Sequence, residues 1–313
     1  MNRHRSTGPS AEPGHDGHGR SYYGRPIIKP PTWKSPDVPA YLFLGGMSGA
    51  SSVIAALARA TRRPALARGG QVAAALGATA SVGALIHDLG RPERFLHMLR
   101  VAKPTSPLNA GSWLLAAYGT LAGAAGASSV TGLFPRLGRA TGLGAALLGP
   151  PMTTYTAVLL ADTAVPAWHE AHRELPFVFC ASAMQSGGAV GLLVAPPEQA
   201  RPAGAAALAG TALGLAAERL MVSRLGFVGE PYRRGRARRL MRASQLCSLA
   251  GGVGAAIGRR SRVASALSGG VLLAGSACLR LAVFEAGMAS ARDPRYTVVP
   301  QRARRSATGS ADR

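Results

Sequence analysis

GGQVAAALGATASVGALI (Gly69–Ile86) is an uncharged run of 18 residues, and it leads directly into HDLGRPER (His87–Arg94). About 20 residues span the hydrocarbon core of a bilayer. A helix on the surface of a soluble protein would carry charge at helical spacing on its outer face. This run carries none, so it reads as a membrane span. Five of the eight side chains that follow it can be charged, where the apolar helix has to stop.

The same pattern recurs outward from this stretch. Val38–Ala58 reads as the span before it. After it come Ala110–Gly132, a span from Ala140 that continues past Asp162 to Trp168, Leu175–Pro197, Pro202–Val222, Ala243–Gly258, and Val263–Phe284, which runs past Arg280. The expectation is an all-α integral membrane protein with about eight transmembrane helices, over residues 38–288. A polar, largely disordered N-terminal tail is expected over residues 1–37 and a basic C-terminal tail over residues 289–313. Tyr22–Pro39 carries five prolines and reads as an extended segment lying along the protein or membrane surface. Residues 1–37 show no apolar stretch or cleavage site of a signal peptide, so entry into the membrane is expected through the spans themselves. Gly45 and Gly49, and Gly187 and Gly191, are four apart and predict close helix–helix contacts.

A net charge of +22 on a chain that is 47% hydrophobic would ordinarily suggest nucleic acid. The basic residues, however, cluster in short runs between long uncharged ones, as in membrane loops, which argues against nucleic acid. Cys180, Cys247 and Cys278 are isolated in apolar runs and form no metal-binding or iron–sulfur spacing. They read as small packing residues.

Eight spans would put both termini on one side, side A, with the loops after spans two, four and six. Side A carries about twice the Lys and Arg of side B, so the positive-inside rule makes it cytoplasmic. The membrane is expected to be the plasma membrane. Side B is itself basic: Arg59, Arg62, Arg63 and Arg68 flank its first loop, and Arg136, Arg139, Arg201 and Arg259 to Arg262 follow. Alternation of direction brings His87, Asp88, Asp162, Glu218 and Glu285 to side A. Ionisable groups in spans are costly and suggest function, although capping and snorkelling account for them as well. Tyr155 and Asp162 are seven apart, about 10 Å along one helix face. They could be a hydrogen-bond donor and a proton relay, or a belt Tyr and a capping Asp. No His lies mid-span, so no haem is expected.

Several ordered motifs resemble the NrfD/polysulfide-reductase membrane-subunit family. The strongest is Asp88-Leu-Gly-Arg-Pro-Glu-Arg-Phe95, followed by Lys103-Pro-Thr-Ser-Pro107 and Trp113. Tyr41–Gly46 is similar to the family's first-span motif. Tyr155–Leu160, Val165-Pro-Ala-Trp168 and Leu175-Pro176 are similar to its fourth-span region. Ala286-Gly287, Ser290 and Asp293-Pro294 are similar to its C-terminal end. The resemblance implies two four-helix bundles and a site for menaquinone or ubiquinone near the face that contacts an iron–sulfur subunit. That subunit exchanges electrons with a catalytic subunit of the molybdopterin kind. By motif, Asp88, Arg91 and Arg94 belong to the loop near quinone and partner, and Tyr155 is a candidate quinone contact. His87, Asp88 and Asp162 are candidates for handling protons. Arg91 and Arg94 could equally hold the loop by pairing with Asp88 and Glu93. The span-one His of some members is missing: Tyr41–Ala60 contains none. The competing readings are a membrane anchor or ion-translocating subunit without quinone chemistry, and a secondary transporter.

Overall fold

Each apolar run gives one long helix, and six of the eight helices are longer than the run itself. The computed structural model describes residues 27–29, 31–91, 93–100, 103, 105–258 and 260–302, without the side chains of 94–96. The long helices are α1 (Asp37–Ala60), α2 (Pro64–Leu89), α4 (Pro107–Thr131), α5 (Pro135–Ala161), α7 (Leu175–Val194), α8 (Pro197–Arg224), α10 (Gly235–Ile257) and α11 (Arg262–Arg292). Between them lie the short α3 (Glu93–Leu99), α6 (Pro166–His169) and α9 (Glu230–Arg233). Proline opens α2, α4, α5 and α8, where its missing N–H costs nothing. Gly90 and Gly132 close α2 and α4 at φ +69° and +74°, a left-handed conformation that glycine adopts without strain. Charge stops none of these helices. α8 takes in Glu198 and Arg201, and α10 begins among Arg236, Arg238 and Arg239.

The fourth apolar run ends sooner than expected. α5 stops at Ala161 with Asp162 as its C-cap, and Trp168 lies on the separate turn α6. Pro166 causes the break: it lacks an N–H, and it holds Val165 extended at ψ 116°.

α1 packs on α2, α5 and α7, and α4 bridges α2 and α5. α7 packs on α8 and α11, and α10 bridges those two. Glycines permit the closest approaches. A Cβ on Gly49 would lie 2.8 Å from the Gly149 carbonyl oxygen, and one on Gly149 would lie 2.7 Å from that of Gly49. Gly187 abuts Ala50 of α1, whereas Gly191 abuts Ala203 of α8, so that pair serves two different neighbours.

Among the described residues six helices (α1, α2, α5, α7, α8 and α11) are long and apolar enough to cross a membrane. The exterior agrees: Leu76 is 67% exposed, Leu147 78% and Ile257 82%. Apolar surface in water costs about 25 cal/mol per Å². The chain is a multi-pass helical membrane protein. Of the three cysteines, Cys180 is exposed rather than packed inside, as an apolar helix surrounded by lipid permits.

α11 runs to Arg292, past the expected start of the C-terminal tail. Beyond it Tyr296 is buried, and its hydroxyl donates to Glu230 Oε2 at 2.8 Å. Burial, and then the Glu230 carboxylate, push this phenol up to about 12.

Candidate functional site

The site is built where α1 begins and α2 and α5 end. His87 closes α2 and bonds the Asp37 carboxylate at the start of α1, Nδ1 to Oδ2 at 2.8 Å. Its ring stays 76% exposed. Asp88 Oδ1 accepts the backbone N–H of Lys34 at 2.8 Å. The preceding residue, Trp33, stacks on Trp168, with ring centroids 5.6 Å apart. The segment before α1 is thus pinned at two points, on α2 and on α6.

Trp168 is fully buried and inserts against α11. Its indole N–H donates to the Val283 carbonyl at 2.8 Å, and its ring lies 5.9 Å from that of Phe284. The indole occupies the space that a side chain on Gly287 would fill. The Ala167 amide donates to Ser290 Oγ at 3.2 Å, and the Tyr232 hydroxyl donates to the Ala167 carbonyl at 3.3 Å. Two motifs more than 100 residues apart in sequence, around Trp168 and Gly287, therefore meet in space.

Tyr155 projects inward from α5. Its ring meets Tyr41 of α1 edge-on, with centroids 6.4 Å apart, and lies against Gly111 of α4. Its hydroxyl is buried and has no hydrogen-bond partner among the described residues. Tyr118 shows the usual solution, since its hydroxyl pairs with Ser48 Oγ at 2.8 Å. An unmade bond at a buried polar group costs about 1–3 kcal/mol, so the bare phenol of Tyr155 needs an explanation.

The other expected site residues separate. Asp162 is exposed, and among the described residues its side chain makes no bond to Tyr155 or to anything else. Arg91 is exposed and, among the described residues, pairs with neither Asp88 nor Glu93; Asp88 Oδ1 is held by a backbone amide. The Arg94 side chain lies outside the described residues. Glu218 and Glu285 lie toward the same end of the molecule but in its other half. Glu218 accepts from Gln245 Nε2 at 3.3 Å and lines a cavity of about 490 Å³ with Tyr232 and Arg238. Glu285 pairs with Arg236 at 3.4 Å.

Two residues stand out only in the structure. Asp37 falls in the expected tail, though it is the partner of His87. Arg280 is one charge near the end of an apolar run, but it is 1% exposed. Its Nη2 donates to the Phe179 carbonyl at 2.8 Å, and the guanidinium carbon sits 3.6 Å from the Phe179 ring centroid. Nη2 also faces Gly46, where a Cβ would stand 3.1 Å away. Nε and Nη1 have no partner. The available signal was that Arg280 is the only charged residue between Arg262 and Glu285. A buried cation without a carboxylate adds little stability. Arg280→Met is therefore expected to leave the thermal midpoint in detergent within about 3 °C of the parent. A larger fall would make the guanidinium a structural tie.

Residues 29–203 match the family model described as polysulphide reductase, NrfD. The chain belongs to the NrfD family. No curated protein matches it. The NrfD match covers α1 to α7 and the start of α8, so His87, Asp88, Tyr155, Asp162 and Trp168 lie inside it. Arg280 and Gly287 lie outside the NrfD match, on α11, but they pack against α7 and α6 within it.

Proposed function

We propose that this NrfD-family chain is the membrane subunit of an oxidoreductase complex, exchanging electrons between the quinone pool and an iron–sulfur partner subunit. The partner in turn serves a catalytic subunit of the molybdopterin kind. Eight crossings in two four-helix bundles, α1/α2/α4/α5 and α7/α8/α10/α11, fit the packing pairs. α10 is included because Leu246, Leu249, Val253 and Ile257 form one exposed apolar stripe on it. On this reading the membrane is the plasma membrane and both termini are cytoplasmic.

One observation carries the reading: the buried, unpartnered hydroxyl of Tyr155. A quinone carbonyl needs a hydrogen-bond donor within apolar walls, and this phenol, beside the Tyr41 ring, fits that need. Menaquinone or ubiquinone would supply two-electron, two-proton redox chemistry. Tyr155 Oη would donate to one carbonyl oxygen and fix the ring's depth. The His87–Asp37 pair, open to water on the imidazole side, can take up or release a proton at the ring nitrogens. Asp88 positions the Lys34 segment over the site and is a second carboxylate at the proton exit. Asp162, exposed at the end of α5, is a further proton acceptor on the same face.

The test is purification of the intact complex in a mild detergent. Bound quinone together with co-eluting iron–sulfur and catalytic subunits is the expected result. A complex that passes electrons between its other subunits while this chain holds no quinone would leave the anchor or ion-translocating reading. That reading has its own support in the polar interior of the second half. There Gln185 Nε2 donates to Ser248 Oγ at 3.0 Å, and Ser182 and Ser276 share a hydrogen bond of 2.6 Å.

A further inference from the structure

The end of the helices opposite Tyr155 carries a site that the electron-transfer reading does not use. A cavity of about 620 Å³ lies between the α1–α2 turn and the α4–α5 turn. Arg59, Arg62, Arg63, Arg68 and Arg139 line it together with Ser129, and its lining contains no carboxylate. We propose that this cavity binds the phosphate headgroup of an anionic phospholipid.

The arginines are placed but not neutralised. Arg59 Nη2 donates to Gln71 Oε1 at 2.8 Å, Arg63 Nη1 to the Glu198 carbonyl at 3.0 Å, and Arg139 Nε to the Pro135 carbonyl at 3.4 Å. Every one of these acceptors is uncharged. Among the described residues Arg63 Nε is buried without a partner. The side chains of Arg62 and Arg68 make no hydrogen bond or ion pair among them either, and Arg62 is turned there by a left-handed backbone at φ +55°. Converging guanidiniums repel one another unless an anion joins them, and the planar fork of arginine matches phosphate oxygens.

The neighbouring surface selects lipid over free phosphate. Pro64 and Arg68 also line a second cavity of about 580 Å³, whose remaining wall includes Val72, Leu76 and Val194. Pro64, Arg68, Val72 and Leu76 are spaced by four, so they form one stripe down α2. From Pro64 to Leu76 the stripe runs about 18 Å, slightly more than one leaflet of a hydrocarbon core about 30 Å thick. A phosphate in the arginine cavity thus has an apolar channel of acyl-chain length leading away from it. The occupant also accounts for the basicity of this face, which the positive-inside rule leaves unexplained.

The test compares the full chain with Arg62→Gln/Arg68→Gln, and with Arg136→Gln, a change on the same face but outside the cavity. Arg62 and Arg68 have no internal partners, so their replacement leaves the fold intact. Each protein is delipidated in detergent and titrated with phosphatidylglycerol, phosphatidylcholine or inorganic phosphate. Retained lipid is counted by native mass spectrometry, and the thermal midpoint is followed alongside. The parent is expected to retain phosphatidylglycerol in preference to phosphatidylcholine and to melt higher with it. The double variant should bind it about thirtyfold more weakly, at roughly fivefold per charge removed. Arg136→Gln should bind like the parent, and inorganic phosphate should not raise the midpoint. Equal retention of both lipids, an unchanged double variant, an equally weakened Arg136→Gln, or full protection by inorganic phosphate would each overturn the proposal.

Discussion

Gly287→Ala is expected to cost this protein about 3 kcal/mol or more, the combined scale of overpacking and of displacing a buried aromatic ring. The added methyl would occupy the place of the Trp168 indole. Neither side can yield easily. The indole is fully buried, stacked on Trp33, and tied by its N–H to the Val283 carbonyl one turn before Gly287. The absence of a side chain at 287 is what lets the ring lie flat on α11 and reach that carbonyl. In lipid the water-driven term is missing, so helix association depends on packing of this kind. Melting of the purified protein, followed by tryptophan fluorescence, is the measurement. A partner change, Trp168→Phe, should recover part of the loss in the double variant, because the two positions are coupled. A Gly287→Ala protein that melts like the parent would mean that the α6–α11 contact is slack.

Much of the fold was readable because hydrophobicity acts locally. In a bilayer an uncharged run of this length must satisfy its backbone as a helix whatever it packs against, and each apolar run does give one long helix. Helix ends were read less well. Arginine at a helix end turns its head to water without ending the helix, so α8, α10 and α11 extend through charges that flank the apolar runs. Pro166 was the visible break that shortens the fourth run. The site was legible in part. Alternation of direction brings Asp88, Asp162, Glu218 and Glu285 toward one end, but an end is not a pocket. Tyr155 and Asp162 keep helical spacing only as far as the helix lasts, and Asp162 is already its cap. The partner of Asp88 is a backbone N–H from the proline-rich segment, whose composition shows that it is extended but not which side chain it meets. Arg280 shows the reverse. Its signal was plain, but which face of α11 it occupied depended on Phe179 and Gly46 of other helices.

Tyr155→Phe should separate fold from function. The ring, and with it the edge-on contact to Tyr41 and the packing on Gly111, survives the change. Only the hydroxyl is lost, and in the structure it bonds nothing. Removing a buried group that has no partner relieves an unmet demand, so the variant should assemble normally and melt at or slightly above the parent temperature. Electron transfer linked to quinol should behave differently. If the hydroxyl donates to a carbonyl oxygen as charge builds there, losing it should lower kcat by about ten- to a hundredfold, the range of a modest electrostatic or acid–base contribution. Asp88→Asn is the comparison: its amide oxygen can still accept the Lys34 N–H, so its assembly should hold and only proton handling should slow. The measurement is steady-state turnover of the intact complex with a short-chain quinol, beside a reaction of the catalytic subunit with an artificial acceptor that bypasses the membrane chain. Equal turnover of Tyr155→Phe and parent in the quinol assay would remove Tyr155 from the site. A parallel loss in both assays would trace the defect to assembly.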